Sequence, residues 1–452
     1  MWLWIFGILV ILAVWVIWLL FPPAEPGAAE IMPLWLAVTI SVVILGLLVG
    51  LWLIRRIRAA RAARALENAI KQQAQEQAIN AKPEEREEIQ ALYRQVAEGI
   101  NALKASKLAG GRRGEHALYA LPWYAIVGPP GAGKTTALRH SGLSFPFLDP
   151  QGGGVRGVGG TRNCDWWFTN EAILLDTAGR YTTESDDRDE CVGFLAQLMK
   201  YRPEKPLNGV LVAVSISELL DATDDQIKQL AGKVRARIDE MQTTLKMTVP
   251  VYVLFTKSDL VAGFVEYFGD LKKSERGQPW GATYRMDEVK GDAGRLFERE
   301  FDVLVERLHT RVTKRINNER SRQNRERIYQ FPLEFAAVKK PLGDFMAEAF
   351  AVGKGSGPEP ILRGFYFTSG TQEGKPLDRV VGAMGRAFGL KGSVVEETEG
   401  SKEAKSYFLK DVFERIVFPD QELASLSATE VRRRLFQRLA IAAAAMFVAL
   451  LF

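Results

Sequence analysis

One glycine-rich segment of this chain has the residue types and the spacing to bind phosphate. Residues 128–135 read Gly-Pro-Pro-Gly-Ala-Gly-Lys-Thr and fit the pattern G-x-x-x-x-G-K-[ST]. Three glycines let the backbone wrap around phosphate oxygens, and the following helix adds its positive dipole end: Gly128, Gly131 and Gly133. The pattern predicts that Lys134 reaches the β- and γ-phosphates of a nucleotide. It also predicts that the Thr135 hydroxyl binds Mg²⁺, with Thr136 as a further nucleotide contact.

A second motif supplies a carboxylate and a mobile glycine. Asp176 follows the apolar residues 173–175, which places it at the carboxyl end of a strand. We expect Asp176 to hold Mg²⁺ through water and Gly179 to offer its backbone N–H to the γ-phosphate. Thr161, between the two motifs, is the candidate switch threonine that senses the γ-phosphate through Mg²⁺. The alternative for Thr161 is an ordinary loop threonine.

The third motif carries the signal for the base. Thr256-Lys257-Ser258-Asp259 ends another apolar run and resembles the [NT]-K-x-D element of GTP-binding proteins. An aspartate at this position accepts hydrogen bonds from guanine N1–H and from the exocyclic amine, a pair of donors that adenine lacks. The three motifs in this order predict a site for GTP (or ATP) with Mg²⁺, in which Thr256, Lys257 and Asp259 contact the nucleotide. For the remaining base-contacting loop, Glu334-Phe335-Ala336-Ala337 is the best candidate.

Arg180 departs from the usual pattern of fast GTPases. It follows Gly179, where Ras-like enzymes often carry a glutamine that orients the attacking water. A guanidinium cannot orient water in the same way, but it can stabilise transition-state charge. We therefore predict Lys134, Thr161 and Arg180 as the catalytic residues of nucleotide hydrolysis. Hydrolysis is then slow or dependent on a partner.

The elements around these motifs predict an α/β fold. Four short apolar runs read as buried strands, separated by polar helical stretches: Trp123 to Val127, Ala172 to Leu175, Val210 to Ile216 and Val249 to Phe255. Residues 328–335 are the candidate for the last strand. Five apolar residues at three-to-four spacing predict one core-facing helix: Phe297, Phe301, Leu304, Leu308 and Val312. We predict a P-loop GTPase-like domain at 119–340, with a parallel-rich sheet and a helical insertion, and an α-helical extension at 341–437.

Apolar segments at both ends predict transmembrane helices. Residues 1–21 and 34–54 carry no charged side chain, and each is long enough for a hydrocarbon core about 30 Å thick. The first run lacks the charged start and the cleavage site of a signal peptide. Arginines directly after residue 54 place the following chain in the cytoplasm. We read residues 438–452 as a truncated third span; the alternative is a helix packed on the core.

Composition restricts the remaining possibilities. The chain has 452 residues and a net charge of +5, mostly from juxtamembrane arginines, so we expect no nucleic-acid partner. Its two cysteines, Cys164 and Cys191, form neither a disulfide framework nor a zinc motif. Residues 59–118 are rich in Ala, Gln and charged side chains and predict a helical cytoplasmic stalk.

The whole pattern resembles the TssM/IcmF family, the inner-membrane anchors of bacterial type VI secretion systems and their relatives. Several stretches beyond the phosphate loop carry this resemblance: Asp176 to Tyr181, Gly263 to Phe268, Gln278 to Gly281, Arg363 to Gly374 and Tyr407 to Phe413. The family topology also matches, with a membrane hairpin, a cytoplasmic nucleotide-binding domain and a third span. The large periplasmic region of the family is missing here, so the chain resembles the N-terminal part of a member.

The resemblance implies a scaffold in the bacterial inner membrane with a cytoplasmic central domain. Its partners would be a TssL-like inner-membrane protein, baseplate components, the lipid bilayer and further copies of itself. A TssJ-like lipoprotein would join through the periplasmic region. Two alternatives are an autonomous membrane-bound GTPase and a GTPase-coupled transporter. A transporter would need more spans with polar residues at mid-membrane, and the spans predicted here have none.

Overall fold

A computed structural model describes the central part of the chain and short pieces elsewhere. It covers residues 121–145, 155–156, 164–177, 204–286, 292–353, 358–370, 405–427, 430–433 and 435–437, with isolated positions within 12–50 and between 195 and 202. The isolated positions within 12–50 are helical. Within the described residues, no helix combines the length and the apolar character needed to cross a membrane. The predicted spans and stalk lie largely outside these residues.

Eight strands form one mixed sheet, and two short strands pair separately. In chain order the strands are β1 (Trp123–Val127), β2 (Val155–Arg156), β3 (Cys164–Phe168), β4 (Ile173–Thr177), β5 (Gly209–Ser215), β6 (Met247–Thr248), β7 (Pro250–Thr256), β8 (Gly281–Thr283), β9 (Ile361–Phe367) and β10 (Ser425–Leu426). The sheet order is β2-β3-β4-β1-β5-β7-β9-β8, and β10 pairs with β6. Five neighbouring strands in the middle of this order are parallel: β4, β1, β5, β7 and β9. The strands at the two edges, β2 with β3 and β8, pair antiparallel. The carboxyl ends of the parallel strands therefore meet at one edge of the sheet.

The helices follow the strands in the pattern of an α/β protein. They are α1 (Lys134–Arg139), α2 (Ile216–Asp221), α3 (Asp224–Leu245), α4 (Phe264–Phe268), α5 (Lys273–Arg276), α6 (Ala293–Asn318), α7 (Arg322–Ala337), α8 (Lys339–Ala349) and α9 (Lys410–Val412). A π-helical turn, Phe413–Val417, and two 3₁₀ turns, Ser258–Leu260 and Pro419–Glu422, complete the set. The longer helices begin at side-chain caps. Thr223 and Gln226 form a capping box at α3, and the Asp292 carboxylate accepts two backbone N–H groups at α6.

The sheet is covered on both faces. Alternate residues of β1 point to opposite sides, as strand geometry requires, so Ala125 joins one apolar core and Tyr124 the other. The larger core packs the sheet against α3, α6, α7 and α8. The smaller core packs it against α1 and against residues 409–418.

Four of the predicted strands and the predicted helix with the apolar stripe are confirmed. β1 begins and ends where the apolar run predicted it, and β4, β5 and β7 lie within two residues of their predicted bounds. All five apolar residues of the predicted helical stripe are buried on one face of α6. The prediction of a parallel-rich sheet is also confirmed.

The predicted last strand is wrong. Residues 328–335 belong to α7, where Ile328, Phe331 and Phe335 are buried on one face at helical spacing. A short apolar run fits a strand or a buried helix equally well, and Pro332 is accommodated inside this helix. The fifth parallel strand is β9 instead.

The predicted boundary at residue 340 is also wrong. β9 pairs with β7 inside the main sheet, so the segment that we expected to form a separate helical extension supplies a central strand. Residues 407–418 pack on both cores of the same unit. The main sheet therefore joins strands from both sides of residue 340, and described residues of 407–418 pack on the same unit.

Candidate functional site

The glycine-rich loop lies between β1 and α1, at the edge where the parallel strands end. Gly131 and Gly133 adopt left-handed φ angles of 76° and 77°, and Gly133 is the N-cap of α1. At Gly128, an added Cβ would lie 2.1 Å from the carbonyl oxygen of Ala213 in β5. Backbone conformation thus requires glycine at two of the predicted positions, and close approach of a neighbouring strand requires it at the third.

Lys134 is buried inside this loop. Its Nζ donates to the carbonyl oxygens of Gly128, at 2.8 Å, and Pro129, at 3.1 Å. Burial lowers the pKa of Lys134, and the nearby carboxylates of Asp176 and Glu218 act against that shift. The loop therefore holds a lysine whose charge is costly to bury, and phosphate oxygens in the loop would stabilise that charge.

Thr135 and Asp176 form the second part of the site. The Thr135 hydroxyl donates to Asp176 Oδ2 at 2.6 Å, across the ends of α1 and β4. The Thr177 hydroxyl donates to the carbonyl of Ile126 at 2.8 Å and holds β4 against β1. The pair offers Mg²⁺ the oxygen ligands that it prefers, and Mg²⁺ in nucleotide sites takes only one or two protein carboxylates. The described residues contain no cluster of three or more His, Cys, Asp or Glu side chains with metal-binding geometry.

Thr256 ties the third motif to the loop. Its hydroxyl lies 2.6 Å from the carbonyl oxygen of Ala132 and 3.2 Å from that of Val214, so it connects the end of β7 with the loop and with β5. Lys257 then takes a left-handed φ of 56°, and the chain turns into the short 3₁₀ helix that carries Asp259. The turn holds Asp259 at the same edge as the loop.

Asp259 is 6% exposed, and its Oδ1 accepts no hydrogen bond from any described residue. Burial raises the pKa of Asp259, and a hydrogen bond from the Ser369 side chain acts in the opposite direction. A buried carboxylate oxygen without a donor costs free energy. The arrangement therefore fits a ligand that brings N–H groups to Asp259.

The loop beside Asp259 is residues 368–370, which follow β9 and are hereafter called the base loop. Ser258 N donates to the carbonyl of Thr368 at 3.1 Å, so the base loop is joined to the third motif. A Cβ added at Gly370 would lie 2.9 Å from Thr136 Cγ2, which shows how closely the base loop approaches the first turn of α1. Residues 368–370 thus lie between the first turn of α1 and the segment that carries Asp259.

The sequence prediction for this loop is corrected by the structure. Residues 334–337 lie in α7, and Glu334 is buried there, so they do not form a loop after a strand. The signal that could have found the base loop is the apolar run Ile361–Phe367 followed by Thr-Ser-Gly. Glu218 was also missed. It lies in the first turn of α2, and the charges of Lys257 and Lys134 partly offset the burial that raises its pKa.

The structure brings most of the predicted site residues to one edge of the sheet. They are Gly128, Gly131, Gly133, Lys134, Thr135, Thr136, Asp176, Thr256, Lys257 and Asp259. Thr161, Gly179 and Arg180 lie outside the described residues. Their predicted roles stay predictions.

The sheet and the loop define the class of protein: an α/β protein with a glycine-rich loop between its first strand and its first helix. Residues 184–445, more than half of the chain, match the IcmF-related N-terminal domain. The chain therefore belongs to the IcmF-related family, and the resemblance seen in the sequence is confirmed.

One curated relative matches most of this chain. The chain is 43% identical over 355 residues to the type VI secretion system component TssM1 of Pseudomonas aeruginosa; the match covers 77% of this chain and 32% of that protein. The chain thus spans about a third of the length of that relative.

Two solved structures from Chaetomium thermophilum match smaller parts of the chain. The signal recognition particle receptor SRb-GDP matches with 18% identity, 31% coverage of this chain, 62% of that chain and a TM-score of 0.20. The SRb-GTP/SRX complex matches with 21% identity, 32% and 75% coverage and a TM-score of 0.21. Likenesses at this level carry no argument here.

Proposed function

We propose that this chain binds a guanine nucleotide with Mg²⁺ through a P-loop GTPase-like domain. One observation carries the proposal: the buried Asp259 has a carboxylate oxygen with no donor among the described residues, at the same sheet edge as a lysine-containing glycine loop. Guanine offers two N–H groups to a carboxylate, whereas adenine does not. The phosphates would lie in the loop that holds Lys134.

Each group at this edge has a task in the proposed site. Backbone N–H groups of the loop and the Lys134 ammonium bind the phosphates. Thr135 and Asp176, paired across 2.6 Å, hold Mg²⁺, which neutralises phosphate charge when bound. Thr256 keeps the loop in register with the base pocket. With Arg180 in place of a water-orienting glutamine, hydrolysis is slow or depends on a partner.

The proposed biological role is that of a membrane-anchored scaffold. The relative from Pseudomonas aeruginosa is a type VI secretion system component, and we extend that role to this chain. The chain would lie in the bacterial inner membrane with its central domain in the cytoplasm. It would assemble with further copies of itself, with a TssL-like protein and with baseplate components, and nucleotide would regulate that assembly or secretion.

Base recognition is tested by changing the complementarity at Asp259. Xanthine carries a carbonyl where guanine carries the exocyclic amine, so an amide in place of the carboxylate suits it better. We expect Asp259→Asn to weaken GDP binding by about tenfold or more and to strengthen binding of xanthosine diphosphate, because a lost hydrogen bond to a charged group costs about 1.5–3 kcal/mol. Titration calorimetry on the full chain in detergent, with Mg²⁺, measures both affinities.

The matched control is Asp302→Asn, an exposed aspartate on α6 that pairs with Lys339. It should leave both affinities unchanged. ADP binding as tight as GDP binding in the unaltered protein would refute guanine recognition at Asp259.

A further inference from the structure

Residues 405–427, hereafter called the strap, cross the second face of the sheet from the base loop to the end of α3. Leu409, Val412 and Phe413 are buried in the smaller core beside α1. Other strap residues are buried as well, Val417 and Phe418 in the smaller core and Tyr407 and Phe408 in the larger one, and hydrogen bonds to the base loop and to the sheet add to this packing. These hydrogen bonds are directional.

The strap begins at the base loop. Ser369 N donates to the carbonyl of Tyr407 at 3.1 Å, and Tyr407 N donates to the carbonyl of Ser369 at 2.9 Å. Ser369 is the residue whose side chain bonds Asp259. The next strap residue, Phe408, donates its N–H to the carbonyl of Arg276 at 2.6 Å. The backbone of the base loop is therefore hydrogen-bonded to the strap at Ser369.

Two buried tyrosines hold the middle of the strap. The Tyr124 hydroxyl of β1 donates to the carbonyl of Val417 at 2.7 Å, and the Tyr252 hydroxyl of β7 donates to Asp420 Oδ2 at 3.0 Å. Arg363 of β9 donates from Nε to the same carboxylate oxygen at 2.7 Å. Burial raises the pKa of both tyrosines far above the neutral range, so both hydroxyls remain donors.

These attachments are remote from the nucleotide contacts. Tyr252 lies four residues before Thr256 on β7, which corresponds to about 13 Å along an extended strand. Tyr124 of β1 likewise lies four residues before Gly128, and both hydroxyls bond to strap residues. A change at Tyr124 or Tyr252 can therefore reach the base loop through the strap without touching a nucleotide contact.

We infer that the strap positions the base loop, so that the affinity for the base depends on the attachment of the strap at Tyr124, Tyr252 and Asp420. The inference rests on the proposed function and extends it to a positioning element. Coupling of this kind is reciprocal: a strap that favours the binding-competent base loop is itself stabilised when the base binds. The strap ends with Ser427 N bonded to the carbonyl of Lys246, and helical residues 430–433 follow. A contact that fixes helical residues 430–433 would therefore also influence the position of the base loop.

The test compares a ligand that has a base with one that has none. The double variant Tyr124→Phe, Tyr252→Phe removes two hydroxyls and keeps the rings. In the full chain in detergent with Mg²⁺, we expect it to weaken GDP binding by about fivefold. Binding of inorganic pyrophosphate, which needs only the phosphate loop, should be unchanged. A general loss of stability would lower the affinity for both ligands alike.

The matched control is Tyr366→Phe. Tyr366 is buried in the same core, but its hydroxyl lies 2.7 Å from Thr283 Oγ1 and not against the strap. This variant should bind GDP like the unaltered protein. The reciprocal measurement is hydrogen exchange: GDP, but not pyrophosphate, should slow exchange of the Tyr407 and Phe408 amides.

The outcomes separate the two proposals. If the unaltered protein prefers GDP to ADP but the double variant binds GDP normally, or loses GDP and pyrophosphate equally, the positioning role is refuted and the nucleotide site stands. If the unaltered protein binds pyrophosphate but shows no preference for GDP, base recognition is refuted, and the positioning role falls with it.

Discussion

Both faces of the central sheet are covered by apolar cores, but the smaller face also holds its covering segment by directional hydrogen bonds. On the larger face, phenylalanines and a tryptophan pack ring against ring; Phe335 has its ring centroid 4.7 Å from those of Trp280 and Phe301. On the smaller face, the tyrosines of β1 and β7 use their hydroxyls to hold the strap. Apolar burial is strong and has no direction, whereas each hydrogen bond contributes little and fixes one geometry. Apolar burial on both faces therefore stabilises the fold, and the hydrogen bonds of the smaller face can in addition set the position of a loop.

The largest effect is expected on the aromatic face. Phe335→Ala removes a fully buried ring and leaves a cavity between α6, α7 and the sheet. The free energy of unfolding should fall by about 3–5 kcal/mol. Urea unfolding of the full chain in detergent, followed by circular dichroism, measures it. Leu333→Ala on the exposed side of the same helix should change it by less than about 0.5 kcal/mol. Equal losses would show that this face is not a packed core.

At the sheet edge that carries the glycine loop, we expect a substitution to change GDP affinity much more than the free energy of unfolding. Lys134→Ala removes the ammonium that the loop encloses and should weaken GDP binding by about 10- to 100-fold. The free energy of unfolding should change far less than in Phe335→Ala, because the loop backbone keeps its glycine turns. Calorimetry measures the affinity, and Lys233→Ala, an exposed lysine on α3, is the control. Unchanged GDP affinity in Lys134→Ala would contradict the proposed phosphate site.

A smaller effect is expected where the strap meets the sheet. Asp420→Ala leaves Arg363 Nε and the Tyr252 hydroxyl without their acceptor. The free energy of unfolding should fall by about 1–2 kcal/mol, since the Arg363–Asp420 pair is only partly shielded from water. Glu422→Ala, which breaks a pair on an exposed glutamate, should cost less than about 1 kcal/mol. If Asp420→Ala lowered the free energy of unfolding as much as Phe335→Ala does, the proposed difference between the two faces would be wrong.

The smallest expected effect is the pH dependence at Asp259. Its pKa is raised above the ordinary value of 3.8, chiefly by burial, so the folded chain binds more protons there than the unfolded chain. The contribution of this group to stability is therefore greatest below pH 3.8 and declines as pH rises towards the folded pKa. Urea midpoints from pH 3.5 to 7 should show a weaker decline in Asp259→Asn than in the unaltered protein. An identical pH dependence in the two would contradict the raised pKa.

Local sequence predicted much of the edge that carries the site. The loop, the strand before it and the helix after it are encoded within about 17 consecutive residues, and each obeys a local rule of spacing or conformation. The apolar stripe of α6 could also be predicted from the sequence, because its residues recur at the three-to-four spacing of a helix. Residues 328–335 were misread as a strand because a run of eight apolar and polar residues holds too little periodicity to separate a strand from a buried helix.

The base loop and the strap could not be predicted in the same way. Ser369 is 110 residues from Asp259, and Tyr124 is 293 residues from its acceptor Val417. Nothing in the local pattern around Tyr124 states that its hydroxyl meets a carbonyl near the other end of the chain. The same holds for β9, whose place beside β7 depends on pairing across more than a hundred residues.

The sequence by itself determined which functional groups are available to this protein: a glycine loop that must bend, a lysine and a threonine at its end, and the aspartate of a motif that resembles those of GTP-binding proteins. Such features are local because they depend on backbone conformation and on the functional groups of neighbouring residues. Only the tertiary structure decided which loop closes on Asp259, which segment covers the second face of the sheet, and that the two are joined at Ser369 and Tyr407. These features depend on strand pairing and burial between segments that are distant in sequence. Such contacts stabilise the protein only when the chain has folded and brought the segments together.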